Sequence, residues 1–286
     1  MIGNIQTYIG CLTIILTAYA GCRASADDRK SSFPDDVSWE LVWSDEFDGS
    51  DLDTTKWSYQ IGDGCANRLC GWGNNELQWY TRENAVVTDG NLVIHARHDP
   101  GAETQFTSSR IRTLNQGDWK YGKFEVRAAL PTGQGLWSAI WMMPSDNAYG
   151  SWAASGEVDI VEALGHLPDR VYGTLHYGDR WPENTQSGDT LFFDDTAISE
   201  FHTYSIIWQH GKIEWFVDDT KFGEQTSWYT SGHEFPAPFD KRFHLILNVA
   251  IGGAWPENPD STTTFPQQMV VDYVRVYKPN TEAPPN

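Results

Sequence analysis

The sequence predicts an all-β sandwich. Short apolar or alternating runs recur through most of the chain with turn residues between them. No stretch carries an amphipathic helix of useful length. Large rings suited to a sandwich core are abundant: 14 Trp, 12 Tyr and 13 Phe in 286 residues, against 21% charged residues.

In chain order, the folded part begins near Val37 with WELVWSDEFDG, and the first long strand-like run is NLVIHAR (91–97). YGKFEVRAAL (121–130) alternates cleanly: Phe124 and Val126 face one side, Lys123, Glu125 and Arg127 the other. Its polar side needs either solvent or a cleft wall. In GLWSAIWMMP (135–144), Trp137, Ala139 and Trp141 share one parity. Two rings stepping along one strand face either floor a sugar-binding cleft, the reading favoured here, or pack in the core. RVYGTLHYG (170–178) places His176 in an apolar strand, as a partner for a sugar hydroxyl or as a satisfied core histidine. FHTYSIIWQ (201–209), KIEWFVDD (212–219) and FHLILNVAIGG (243–253) follow, the last interrupted by Asn248, which needs a partner if buried. MVVDYVRVYKP ends the sheet at Tyr277.

The chemistry concentrates in GEVDIVEALG (156–165). Val158, Ile160 and Val161 mark a strand, and charges rarely enter a buried strand unless paired or functional. Glu157 and Asp159 share a face, because side chains alternate along a strand. Glu162, five positions from Glu157, points the other way unless one extra residue is inserted. A β-bulge near Ile160–Val161 brings it back, leaving Val158 and one of Ile160 or Val161 toward the core. Three acids in a row then suit glycoside hydrolysis, in which a retaining enzyme needs a nucleophilic carboxylate and a protonated carboxyl about 5–5.5 Å apart. A third acid between them hydrogen-bonds the nucleophile and helps hold the other's proton by like-charge repulsion. The competing reading is a solvated edge strand with scattered acids.

The formal net charge of −19 disfavours nucleic acid, anionic membrane surfaces and sulfated or uronic polysaccharides as partners, and favours a neutral substrate. Many Trp residues in a Gly-rich β-chain suit flat pyranose faces. GWGNNELQWY (71–80) has the composition of a substrate loop, with Asn75 as donor and acceptor.

Residues 1–21 read as an export signal: Ile9 to Ala20 is mostly apolar, too short to span a bilayer, and Ala18-Tyr19-Ala20 offers a cleavage site. Cys22 leaves open a lipid anchor, so the expected location is secreted, periplasmic or outer-surface. Residues 22–36 read as a polar linker, 37–278 as one catalytic domain and 279–286 as a disordered tail. A monomer is expected. Cys65 and Cys70 bound the short loop CANRLC and form a disulfide in an oxidising compartment, or else remain free thiols. Zinc is not expected, because no second Cys/His pair lies at ligand spacing.

Together WSDEFDG, WGNNELQWYT, YGKFEVRAALP, GLWSAIWMMP, GEVDIVEALG, GTLHYG, LILNVAIGGAW and VDYVRVY resemble glycoside hydrolase family 16, in its bacterial endo-β-1,3-glucanase (laminarinase) branch. The resemblance implies a jelly roll of two curved antiparallel sheets with a concave substrate cleft. It implies that Glu157 is the nucleophile, Glu162 the acid/base and Asp159 the assisting acid. Asn75, Arg110, Trp137, Trp141, His176 and Trp255 would contact sugar. No cofactor is implied for catalysis, but a structural calcium ion would be held at Glu46, Gly90 and Asp272. Mixed-linkage β-1,3-1,4-glucan or xyloglucan as substrate, a transglycosylase, and a non-catalytic glucan-binding protein remain the alternatives.

Overall fold

The computed structural model describes residues 37–102 and 104–280. The export signal, the linker and Cys22 lie outside the described residues, as do 281–286 of the tail. Among the described residues the strands are β1 (Trp39–Asp45), β2 (Ser58–Tyr59), β3 (Gln78–Tyr80), β4 (Ala85–Thr88), β5 (Asn91–His98), β6 (Phe106–Ser108), β7 (Arg110–Arg112), β8 (Asp118–Trp119) and β9 (Gly122–Ala129). They continue with β10 (Leu136–Pro144), β11 (Glu157–Leu164), β12 (Arg170–Gly178), β13 (Asn184–Phe192), β14 (His202–Gln209), β15 (Lys212–Val217), β16 (Thr220–Gln225), β17 (Phe243–Ile251) and β18 (Gln267–Pro279). Helix is confined there to two 3₁₀ turns, Cys65–Asn67 and Cys70–Gly73.

Two sheets form. One has 10 strands, in the order β16-β15-β14-β9-β18-β5-β6-β3, with β1 on β18 and β4 on β5; the other has 8, in the order β13-β12-β11-β10-β17-β7-β2, with β8 on β17. Neighbouring strands are antiparallel, as in β10–β11 and β9–β14, except that β3 and β6 run parallel. The predicted all-β sandwich is therefore observed.

The core lies between the sheets and is built from alternate residues of each strand. Phe124, Val126 and Ala128 of β9 meet Leu136, Ile140 and Met142 of β10 there, with Val158, Ile160 and Val161 of β11. Trp57, Trp208 and Trp215 are fully buried. Tryptophan thus fills the core at some positions and lines the site at others. The polar side of β9 lies on the outer face of the ten-stranded sheet, away from the acids. Lys123 pairs with Glu125 at 2.6 Å, and Glu125 accepts a hydrogen bond from the Tyr273 hydroxyl at 3.0 Å. Of its two sequence readings, the cleft wall is excluded.

The last strand outruns its predicted end. β18 continues to Pro279, paired with Trp39, and the Asn280 amide donates to the Ser38 carbonyl at 2.8 Å. Residues 279–280, read as tail, are sheet edge. Cys65 and Cys70 are bridged, as expected.

Candidate active site

The eight-stranded sheet supplies the site, and β11 is its axis. Glu162 lies opposite Ala139 and Asp159 opposite Trp141, so β10 counts two residues where β11 counts three. On the other side Asp159 faces Thr174 and Glu162 faces Tyr172, again two against three. The extra residue of β11 is the predicted bulge. It differs from expectation in one respect: Ile160 and Val161 are both buried in the core, each 1% exposed. The bulge is fastened from the other sheet. The Trp215 indole N–H donates to the Asp159 carbonyl at 2.8 Å, and it reaches there only because residue 173 is glycine; a Cβ at Gly173 would sit 2.4 Å from Trp215 Cδ1. Gly156 enters the strand at φ 85°, a conformation that L side chains rarely adopt.

Each carboxylate has its own partners. Glu157 Oε2 accepts from the Trp152 indole N–H at 2.7 Å, and Glu162 Oε1 from Trp137 at 3.1 Å. His176, opposite Glu157 in the register, brings Nε2 to 3.3 Å from Asp159 Oδ2 and 3.8 Å from Glu157 Oε1. Trp152 also packs its ring against His176, with centroids 5.6 Å apart. The segment before β11 therefore delivers Trp152, which sequence reasoning missed.

Burial and the Asp159 charge raise the proton affinity of both glutamates. Burial and the neighbouring Asp159 push Glu157 from 4.5 up to about 7, against the opposing pull of His176 and the Trp152 N–H. Burial, then the Asp159 charge, push Glu162 well above its ordinary value. Burial disfavours the His176 cation, but the hydrogen bond to Asp159 and the surrounding carboxylates outweigh it and raise the ring to about 9. At neutral pH the row therefore holds an imidazolium, a proton kept most firmly at Glu162 and a more readily ionised Glu157. Glu157, Asp159 and His176 have ligand atoms within 4.8 Å of one another, a spacing a metal could use. A protonated imidazole offers no lone pair to one.

The outer faces of β10, β17 and β7 extend the site. Arg110, opposite Asn248, lies over two rings, with its guanidinium carbon 4.4 Å from the Trp72 centroid and 4.7 Å from that of Trp141. Its Nε donates to Gln60 Oε1 at 2.7 Å. Trp141 donates from its indole to Asn248 Oδ1 at 2.8 Å, which gives the buried amide the partner it needs. Trp137 meets Trp255 edge-on at 5.3 Å, and Trp255, 41% exposed, also packs on Tyr172 at 5.2 Å. Arg110, Trp137, Trp141, His176 and Trp255 are thus brought around the acids.

Asn75 is placed differently. In the loop before β3, Asn74, Glu76, Gln78 and Tyr80 turn inward while Asn75, Leu77 and Trp79 are exposed. The inward polar group is Glu76, which accepts from Asn74 at 3.1 Å, Gln78 at 2.7 Å and Tyr80 at 3.3 Å. Burial raises its pKa, while these donors and Arg110 oppose the rise. The short alternation of polar and apolar residues over 76–79 was the sequence signal for it.

The calcium ligands do not fit a cation as they stand. Register brings Glu46, Gly90 and Asp272 to the same end of the ten-stranded sheet. Yet both Glu46 oxygens take hydrogen bonds from Arg275, at 3.0 and 2.7 Å, and Asp272 pairs with Arg127 at 2.5 Å. The Arg275 hydrogen bond, partly offset by burial, holds Glu46 below its usual range. Guanidinium groups already supply the positive charge that calcium would bring.

The sequence pattern of Glycosyl hydrolases family 16 matches residues 73–275. A Rhodothermus marinus protein named beta-glucanase is 44% identical over 277 residues, covering 92% of this chain and 93% of that one. The glucan endo-1,3-beta-glucosidase A1 of Niallia circulans is 44% identical over 256 residues, covering 83% of this chain, which spans only 38% of that longer protein. The solved laminarinase of Rhodothermus marinus superposes with a TM-score of 0.77 at 44% identity, over 85% of this chain and 99% of that one. With fold, acidic strand and sequence in agreement, the chain belongs to glycosyl hydrolase family 16.

Proposed function

We infer that this protein is a retaining endo-β-1,3-glucanase that cuts neutral, laminarin-type glucan by double displacement. The observation that carries the reading is the bulged strand β11, which turns Glu157 and Glu162 to one face and separates their proton affinities. Two carboxyls with affinities driven apart are what acid and nucleophile require. The name of the Niallia relative, a glucan endo-1,3-beta-glucosidase, and that of the solved Rhodothermus laminarinase support the linkage.

Glu157, the more readily ionised of the pair, attacks the anomeric carbon. The bond to the departing sugar oxygen breaks as Glu162 donates its proton to that oxygen. The resulting glycosyl ester is opened by water, whose proton returns to Glu162, and the sugar leaves with its original configuration. The Trp152 N–H favours the ionised nucleophile, and the His176 cation holds Asp159 against it. Trp137, Trp141 and Trp255 offer ring faces to pyranose units, Arg110 and His176 offer donors, and Asn75 acts from the exposed loop. No cofactor takes part. A calcium ion at Glu46, Gly90 and Asp272 would first have to displace Arg275 and Arg127.

The same proposal places the enzyme outside the cytoplasm as a monomer, exported by residues 1–21 and, if Cys22 is acylated, held at a membrane surface; its partner is glucan rather than nucleic acid. Product analysis tests the function. Mixed oligosaccharides released early from laminarin as β-anomers are expected, with weaker action on lichenan and none on cellulose. An α-anomeric first product would overturn the mechanism, and a higher kcat/KM on lichenan would overturn the linkage.

A further inference from the structure

Glu76 is a half-buried, titratable side chain that the double displacement does not use, and it starts a chain of hydrogen bonds that ends in the cleft. The chain has one direction. Gln78 Oε1 accepts the Ile251 amide at 2.7 Å, so its Nε2 is turned to Glu76, 2.7 Å away. An ionised carboxylate only accepts, so the Tyr80 hydroxyl must donate to Glu76, at 3.3 Å. The Tyr80 oxygen is then free to accept, and it does so from Asn248 Nδ2 at 3.1 Å. That fixes the Asn248 amide with its oxygen toward the Trp141 N–H, 2.8 Å away. Gln78, Tyr80 and Asn248 are 1%, 0% and 5% exposed, so water offers little substitute for a lost partner. Arg110 lies over the Trp141 ring, so the orientation set by Glu76 reaches two of the side chains around the acids.

We propose that Glu76 is a positioning residue: acting through Tyr80 and Asn248, it fixes the orientation of the Trp141 indole that receives a glucosyl unit beside the scissile bond. The proposal rests on the reading of Trp141 as a sugar contact. Its logic is polarity rather than bulk. Glu76→Leu keeps the bulk and removes the acceptor shared by Gln78 and Tyr80. Tyr80 is then released to donate onward, the Asn248 amide turns over, and its NH₂ faces the indole N–H. Tyr80→Phe keeps the ring and cuts the chain at its middle.

The test is steady-state kinetics on a soluble laminari-oligosaccharide with Glu76→Leu, Tyr80→Phe, the double variant and Trp141→Ala. Each single variant should raise KM roughly fivefold to tenfold, the scale of one oriented hydrogen bond, with kcat within about twofold. The double variant should be no worse than either single one, because both cut the same chain. A lower melting temperature with unchanged KM, or KM effects that multiply in the double variant, would overturn the proposal. Should Glu76→Leu fail to fold, Tyr80→Phe alone decides it by the same split between KM and kcat. Trp141→Ala separates the two readings. If it raises KM while the chain variants do not, the relay alone is wrong. If it leaves KM unchanged, the sugar contact is wrong and the relay falls with it.

Discussion

Replacing Glu157 by Gln should stabilise the protein while abolishing its proposed activity. In the folded state burial, then Asp159, raise the Glu157 carboxyl from 4.5 to about 7. The unfolded chain ionises the same group near 4.5, so between those values the folded state retains a proton that the unfolded state has lost. Stability therefore falls as pH rises across that window, is fully reduced above it, and is untouched below pH 4.5. At about 1.4 kcal/mol per pK unit the ceiling of the deficit is roughly 3 kcal/mol. Glutamine keeps the shape and does not titrate, so the deficit disappears. The opposing pull of the His176 cation and the Trp152 N–H is already contained in that value. A gain of up to about 3 kcal/mol is expected, or roughly 6–12 °C for a domain of this size. Thermal unfolding of both proteins at pH 8 and pH 4 measures it, with turnover on laminarin recorded in parallel. The variant should melt higher at pH 8, match the parent at pH 4, and lose on the order of 10⁴ or more in turnover. A lower melting temperature at pH 8, or a shift of equal size at both pH values, would refute the electrostatic reasoning. Near-normal turnover would refute the nucleophile.

Glu162→Ala should lose less activity on aryl glycosides than on glucan, and azide should restore part of it as a β-glycosyl azide, identified by NMR. Trp152→Phe removes a donor that favours the ionised Glu157, so the acidic limb of the kcat/KM profile should move up by about one pH unit, because the hydrogen bond to a charged acceptor is lost. Gly173→Ala drives a Cβ toward Trp215 and should cost roughly 1–3 kcal/mol in thermal unfolding with a matching fall in kcat, since the same ring fastens the bulge. Chelation with EDTA should leave the melting temperature unchanged, because Arg275 and Arg127 already balance Glu46 and Asp272; a clear fall would restore the calcium reading.

The sequence was most informative where a pattern of two was broken or kept locally. The count from Glu157 to Glu162 was enough to expect the bulge, and the parity of Trp137 and Trp141 was enough to put both on one face. It was least informative where a side chain's neighbour is far along the chain. β13 escaped notice because NTQSGDTLF is an edge strand with half of its residues exposed, so it carries no apolar alternation. Trp152 looked like one ring among many until the fold placed its N–H on Glu157. Glu46 and Asp272 read as oxygen ligands from the resemblance alone, and nothing local shows their partners, since Arg275 and Arg127 lie 229 and 145 residues away in sequence. Asn75 is named from its donor and acceptor amide and from the resemblance, and Glu76 beside it goes unread, because a half-buried carboxylate shows its use only through its partners.

The bulge has a consequence for insertion and deletion. In an ordinary strand a missing residue inverts every side chain beyond it. Strand β11 is the reverse case, because both of its neighbours already count two residues between the positions facing Asp159 and Glu162. Removing Ile160 would restore plain alternation and leave all three acids on the outer face. An insertion there would also give an even count and keep Glu162 outward, but two residues out of register with Ala139 and Tyr172. Between Asp159 and Glu162 the strand can become shorter and keep both the facing and the register of its acids; made longer, it keeps the facing and loses the register.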